Sequence, residues 1–238
     1  MSDPLAKLSI VDTPVMQESV LIKVTKKVNT VEGANNTIIT SGKKTDYLDL
    51  QKQPANLVTN NTRQVFGQVA GINIWENDGS GLQSNVATRG LSPNRSWEFN
   101  VRQNGVDISS EIFGYPEAYY QPTFEAVDHI EIVRGAAGLQ FGPQFGGLLN
   151  YVLKEAPKNK KFDYQGNFTG GTYGLLGTYQ QIGGKVGKLS YFGYGQYRRA
   201  DGWRQNSEYQ TSNFYGRLDY SIHFKTKVWA DYTRSSYV

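Results

Sequence analysis

At 238 residues the chain has room for one large or two modest domains; its hydrophobic content is a low 38%, yet aromatics reach 13%. The absence of cysteine excludes a disulfide framework, a thiolate metal site and a cysteine nucleophile, and two histidines, His129 and His223, leave little for imidazole chemistry. The net charge of +4 is dispersed rather than gathered into a basic stripe, which argues against nucleic-acid binding, and no run of ~18 apolar residues offers a membrane helix.

Residues 1–27 carry little periodicity and one short apolar patch, Val20-Leu21-Ile22-Lys23-Val24, so they read as a flexible leader. Such a patch suits addition as an extra strand to a partner's sheet edge. The first residues lack the apolar core of a signal peptide.

Residues 28–157 mix short helical and strand signals, as a compact α+β domain does. Asn61 with Gln64 three residues on marks a helix start, and Val65, Phe66 and Val69 share its inner face up to Gly71. Residues 72–75 and 86–90 read as strands, the second closing in Arg89-Gly90. Alternation over 97–102 precedes the tight-turn signal Asn104-Gly105 and a short return over 106–108. A helical turn over 123–128 leads into the alternating run Ile130-Glu131-Ile132-Val133-Arg134-Gly135. Glycines and a proline punctuate the path from there to a second apolar run over 148–153.

After Pro157 the texture changes. Strict alternation over 162–169 and again over 213–224 gives long strands with one apolar and one polar face. Five strands are expected, near 162–170, 175–183, 188–199, 212–224 and 227–236, with short turns at Gly187-Lys188 and Lys225-Thr226 and a longer polar loop over 200–211. Runs of this length suit strands crossing a bilayer, although a soluble antiparallel sheet with one wet face shows the same period. Five strands cannot close a barrel without exposing edges to lipid. If they are membrane strands, the chain is a piece of a larger barrel.

The ordered set Thr88-Arg89-Gly90, Asn104-Gly105-Val106, residues 130–135, Phe141-Gly142-Pro143-Gln144 and Gly146-Gly147-Leu148-Leu149-Asn150 resembles a TonB-dependent outer-membrane receptor. Within that family, residues 141–147 and the loop 112–117 look most like the ferric-citrate type. The resemblance implies a leader (1–27), an α+β plug domain (28–157) and the first five or so antiparallel transmembrane strands (158–238) of an incomplete barrel of about 22 strands. It implies import of a scarce nutrient, a ferric citrate or siderophore complex first among them, with TonB as periplasmic partner. Outer-membrane lipid and lipopolysaccharide would surround the strands. Iron would enter only within its chelate, with no resident cofactor or metal.

By the same resemblance Glu18, Ser19, Val20, Leu21 and Ile22 form the TonB box, and Arg89 and Arg134 lock the plug to wall carboxylates, a task suited to a planar, permanently charged fork. Arg95, Ser96, Tyr115, Tyr119 and Gln144 would face the ligand at the plug's outer apex. Arg198, Arg199 and Arg204 are read as lining the lumen or an outer loop or, equally, as binding anionic lipopolysaccharide or solvating the rim. The chain departs from the family in having His129 before the Ile-Glu-Ile run and no room before residue 28 for the signalling domain of the ferric-citrate type. No catalytic constellation is present, so the chain is not read as an enzyme. The other readings open to the residues are an adhesive or structural outer-membrane β protein and a soluble carbohydrate-binding β domain.

Overall fold

The computed structural model describes residues 28–30, 33–34, 39–40, 45–76, 79–96, 99–110, 118–142, 146–223 and 226–238. Among them fifteen strands and one short α-helix form two bodies that share a core.

The first body is built on a six-stranded mixed sheet. It contains β1 (Val28–Thr30), β4 (Thr45–Asp49), β9 (Val127–Arg134), β10 (Gly147–Leu153), β7 (Phe99–Gln103) and β8 (Val106–Asp107), in that spatial order. Two small ribbons, β2 (Gly33–Ala34) with β3 (Ile39–Thr40) and β5 (Ile72–Glu76) with β6 (Ser84–Thr88), accompany it. The sheet centre is β9 and β10. β10 runs antiparallel to β9 and parallel to β7, so both its edges are occupied and all but one of its residues are buried. This explains why residues 148–153 read as a nearly continuous apolar run rather than an alternating one.

Local chemistry sets the boundaries. Asn61 caps α1 (Thr62–Phe66), its Oδ1 accepting from the Gln64 N–H at 3.0 Å. The helix expected to run to Gly71 ends at Phe66, because a tight turn from Phe66 to the Val69 N–H tucks Val69 into the core without further helical winding. Asn104 and Gly105 both have positive φ, +50° and +82°, the pair a two-residue hairpin turn requires between β7 and β8.

The second body is a five-stranded antiparallel meander: β11 (Asp163–Gly170), β12 (Leu176–Val186), β13 (Leu189–Ala200), β14 (Tyr209–His223) and β15 (Thr226–Tyr237). All five expected strands are present. The loop expected over 200–211 is shorter, because Tyr209, Gln210 and Thr211 continue the ladder opposite Ala200, Arg199 and Arg198. Twelve residues of β13, at ~3.3 Å each and tilted by ~45°, rise about 28 Å, the thickness of a bilayer's hydrocarbon core.

The two faces differ as such a strand requires. Phe168, Ile182, Phe214, Leu218, Ile222 and Val228 stand on the outer face, each about half exposed or more. On the inner face Tyr179, Phe192, Tyr194 and Tyr215 are buried in one cluster with Phe99, Leu149 and Tyr151 of the first body. The small domain therefore packs against the inner, polar-aromatic side of the sheet.

Candidate functional site: the plug and its contacts with the barrel wall

The seam between the bodies is an aromatic ladder edged with hydrogen bonds. Along the wall, ring centroids of Tyr179 and Tyr194 lie 5.6 Å apart, those of Tyr194 and Tyr215 5.8 Å, and those of Phe192 and Tyr215 6.4 Å. Alternation fixes this set: on β13 and β14 every second residue points inward, and those positions are Phe192, Tyr194, Gln196 and Arg198, then Asn213 and Tyr215.

Arg198 is the main polar tie. Its guanidinium is buried and donates to the Val58 carbonyl at 2.5 Å and to the Ser80 carbonyl, two separate loops of the small domain. Lower down, the β7–β8 turn docks on the wall: Asn104 Nδ2 donates to the Tyr215 hydroxyl at 3.1 Å, and Gln103 Nε2 to Thr233 Oγ1 at 3.1 Å. Tyr120 donates to Gln103 Oε1 at 2.9 Å, and burial pushes its phenol pKa well up, so it remains a donor at any physiological pH. Asn213 bridges Gln196 and Thr123, while Asn167 of β11 donates to Glu125 at 2.8 Å.

Of the two arginines expected to lock the domain to the wall, Arg134 has its partner inside the domain. Arg134 pairs with Asp46 of the neighbouring β4, two strands side by side in one sheet. Arg89 lies just past β6 with φ +57°, and its guanidinium approaches to within 3.4 Å of where a Cβ on Gly135 would sit. The two Arg-Gly corners thus lie together at one end of the domain.

Of the residues expected at the apex, Arg95 lies in the single 3-10 turn Asn94–Ser96, and Tyr119 is exposed. Ser96 points inward, its Oγ accepting from the Val86 N–H at 2.9 Å, so its hydroxyl serves the fold. Tyr115, Gln144 and the segment 18–22 lie outside the described residues. Of the rim arginines, Arg199 faces outward and Arg204 stacks on Trp203 in the loop 201–208, with the guanidinium 4.1 Å from the ring centre.

Sequence reading named Arg198 for the lumen or the rim but missed its tie to the small domain, toward which inward parity with Tyr194 and Gln196 aims it. It also missed Asn60, whose side chain donates to the Gly81 and Pro122 carbonyls and accepts from the Phe124 N–H, tying three loops. Only the positive φ of +52° marks that residue out, and sequence does not display it.

A buried charge cluster sits on β9. Glu131 is almost fully buried and accepts from Asn150 Nδ2 at 2.7 Å, with His129 Nε2 3.6 Å away. His129 bonds Asp128 at 2.8 Å and stacks on Tyr47 with centroids 4.3 Å apart. Burial alone would lower the His129 pKa, but hydrogen bonding to Asp128 and Glu131 outweighs it and lifts it to about 9. A folded pKa above the unfolded value makes protonation stabilising, fully so below about 6.5 and progressively less as pH rises through about 9. Amide exchange of β9 should therefore quicken between pH 6.5 and 9 in the native protein and show no such pH step in His129→Gln, once intrinsic exchange is subtracted.

A family model described as the TonB-dependent Receptor Plug Domain matches residues 48–148, the span from β4 into β10 that forms this sheet. Residues 48–148 are a TonB-dependent receptor plug. The plug and its following strands also superpose on solved receptors. FecA, a ferric citrate transporter in its unliganded form, gives a TM-score of 0.64 at 19% identity, over 87% of this chain and 32% of that one. FpvA, a pyoverdine outer membrane receptor from Pseudomonas aeruginosa PAO1, gives 0.63 at 18% identity, over 89% and 31%. OprC, a copper transporter, gives 0.63 at 14% identity, over 87% and 33%. The chain spans about a third of the length of these structures. The fold is thus a receptor plug followed by the opening strands of its barrel.

Proposed function

We propose that the chain is the plug and first wall segment of an outer-membrane transporter that imports a ferric chelate, ferric citrate or a siderophore, with energy delivered through TonB. The observation that carries this reading is the plug sheet hydrogen-bonded to the inner face of strands whose outer face is apolar and of bilayer height. A soluble sugar-binding sheet would have little use for an apolar outer face, and an adhesin has no need of a plug tied to its lumen. Residues 18–22 are the proposed TonB box, and Arg95, Tyr115, Tyr119 and Gln144 the proposed apex contacts. Arg89 and Arg134 retain a proposed lock role at the plug's Arg-Gly end, where further wall strands would approach.

Solved relatives of this fold carry iron chelates or copper in their names, so metal complexes are the cargo class to test first. The experiment is growth under iron limitation with ferric citrate, hydroxamate or catecholate chelates as sole iron source, in strains with and without the receptor gene and with and without TonB. Receptor- and TonB-dependent growth on one ferric chelate is the expected result. Growth indifferent to the receptor on every chelate would turn the reading toward another cargo. A peptide of residues 15–27 is expected to bind the periplasmic domain of TonB, as titration calorimetry would register. Replacement of Leu21 by Pro should abolish that binding, because proline removes a ladder donor.

A further inference from the structure

The wall carries a groove on its outer face that neither plug nor lumen explains. Pairing brings Gly195, Gly193 and Gly216 together on that face, with Ala230 beside them on β15. These residues floor an apolar cavity of about 550 Å³. Its sides are Ile182, Tyr191, Leu218, Phe214 and Tyr232, the last two with ring centroids 6.3 Å apart. A Cβ on Gly195 would meet nothing within 4 Å, so packing does not require that glycine. Its missing side chain leaves volume on the surface.

The residues around the groove say what fills it. Below it the outer face stays apolar, with Leu189, Tyr220 and Val228 side by side in register. Above it, toward the longer loops, β14 and β15 turn polar, with Ser212 opposite Ser236, while Phe168, Leu176 and Tyr197 keep the face apolar on β11 to β13. Arg234 stands opposite Phe214, at the margin between the two zones, exposed and on the outward side. The loops 171–175 and 201–208 at that end are longer than the two-residue turn Gly187-Lys188 at the other, which makes it the outer end of an outer-membrane strand pair. A cation on a lipid-facing surface is costly unless it meets an anion at the interface. The groove is narrow, apolar and open along the membrane, with that cation at its upper end.

We infer that this groove holds one acyl chain of a net-anionic phospholipid of the outer leaflet, with Arg234 against the phosphate. The inference rests on the membrane placement proposed above. A chain leaving bulk lipid gains no hydrophobic free energy, so what holds it is close van der Waals contact with the glycine backbone and the flanking rings, and the charge selects the headgroup.

The test uses the intact receptor in detergent micelles doped with equal phosphatidylglycerol and phosphatidylcholine, examined by native mass spectrometry. Retention of one phosphatidylglycerol in preference to phosphatidylcholine is expected. Gly195→Leu, which fills the groove without touching the plug, should lower that retention by about tenfold, and Arg234→Gln should abolish the headgroup preference while lipid is still bound. Unchanged retention in Gly195→Leu, or a protein rather than a lipid in the groove, would overturn the inference. Should Gly195→Leu fail to assemble, photolabelling of the unmodified receptor with a diazirine-acyl phosphatidylglycerol decides. Adducts on Tyr191, Phe214, Leu218 or Tyr232 support the groove, and adducts confined to other strands reject it. Failure of the membrane reading would look different, as a receptor that needs no detergent at all.

Discussion

Replacing Gly147 by alanine is expected to unfold the plug sheet, at a cost of about 4 kcal/mol or more. Gly147 opens β10 with φ +130°, a region closed to other L-residues, and a Cβ there would sit 2.2 Å from the Val133 carbonyl oxygen and 3.2 Å from Arg134 Cα. Both atoms belong to the backbone of β9, which is itself held by β4 on its far side, so neither can yield cheaply. On its other edge Gly147 faces Phe99 of β7. Gly90→Ala is the control. That glycine also has positive φ, +79°, but a Cβ on it meets nothing within 4 Å, so the cost is that of the left-handed backbone alone, ~1–2 kcal/mol. Amide exchange across β9 and β10 in the intact receptor should rise by orders of magnitude in Gly147→Ala and modestly in Gly90→Ala. Similar behaviour of the two variants would mean that the close approach of β10 to β9 matters less than backbone handedness.

That contrast also shows where the sequence stops being legible. The run from Gly138 to Gly147 announces a tight path between two strands, but it does not say which glycine is indispensable, because that depends on the Val133 carbonyl of the preceding strand. Strand identity and facing were readable wherever period decides them. The five wall strands, the Asn61 cap and the Asn104-Gly105 turn all follow from local chemistry. Partners were less readable. Arg134 closes its strand as expected, yet its ion pair runs to Asp46, which only the β4–β9 pairing brings alongside. Ser96 looked like a polar loop donor and proves to be buried under β6, since a hydroxyl reads the same whether it faces solvent or a backbone amide.

The wall contact that matters most should be Arg198, and Arg198→Ala is expected to loosen the plug by about 3 kcal/mol, roughly a hundredfold in the population of the detached state. The residue is buried at 2% exposure, and its guanidinium reaches two carbonyls, Val58 and Ser80, on loops separated by α1 and β5. Truncation leaves both carbonyls dry and without this donor, and hydrogen bonds from a charged donor carry ~1.5–3 kcal/mol each. Lysine at this position would be a poor rescue, because an ammonium on a flexible stem lacks the planar fork that spans both loops. The other ties, Asn104 to Tyr215 and Gln103 to Thr233, join neutral partners and should each contribute about 1 kcal/mol. Pulse proteolysis or amide exchange of residues 57–60 and 79–81 in the intact receptor would report the change directly, with Tyr215→Phe as the weaker comparison. Equal protection in Arg198→Ala and the unmodified receptor would shift the holding force to the aromatic ladder of Tyr179, Tyr194 and Tyr215. A plug gripped chiefly by one cation on two carbonyls can be released by moving either loop, whereas one gripped by stacked rings must be lifted from the wall as a whole.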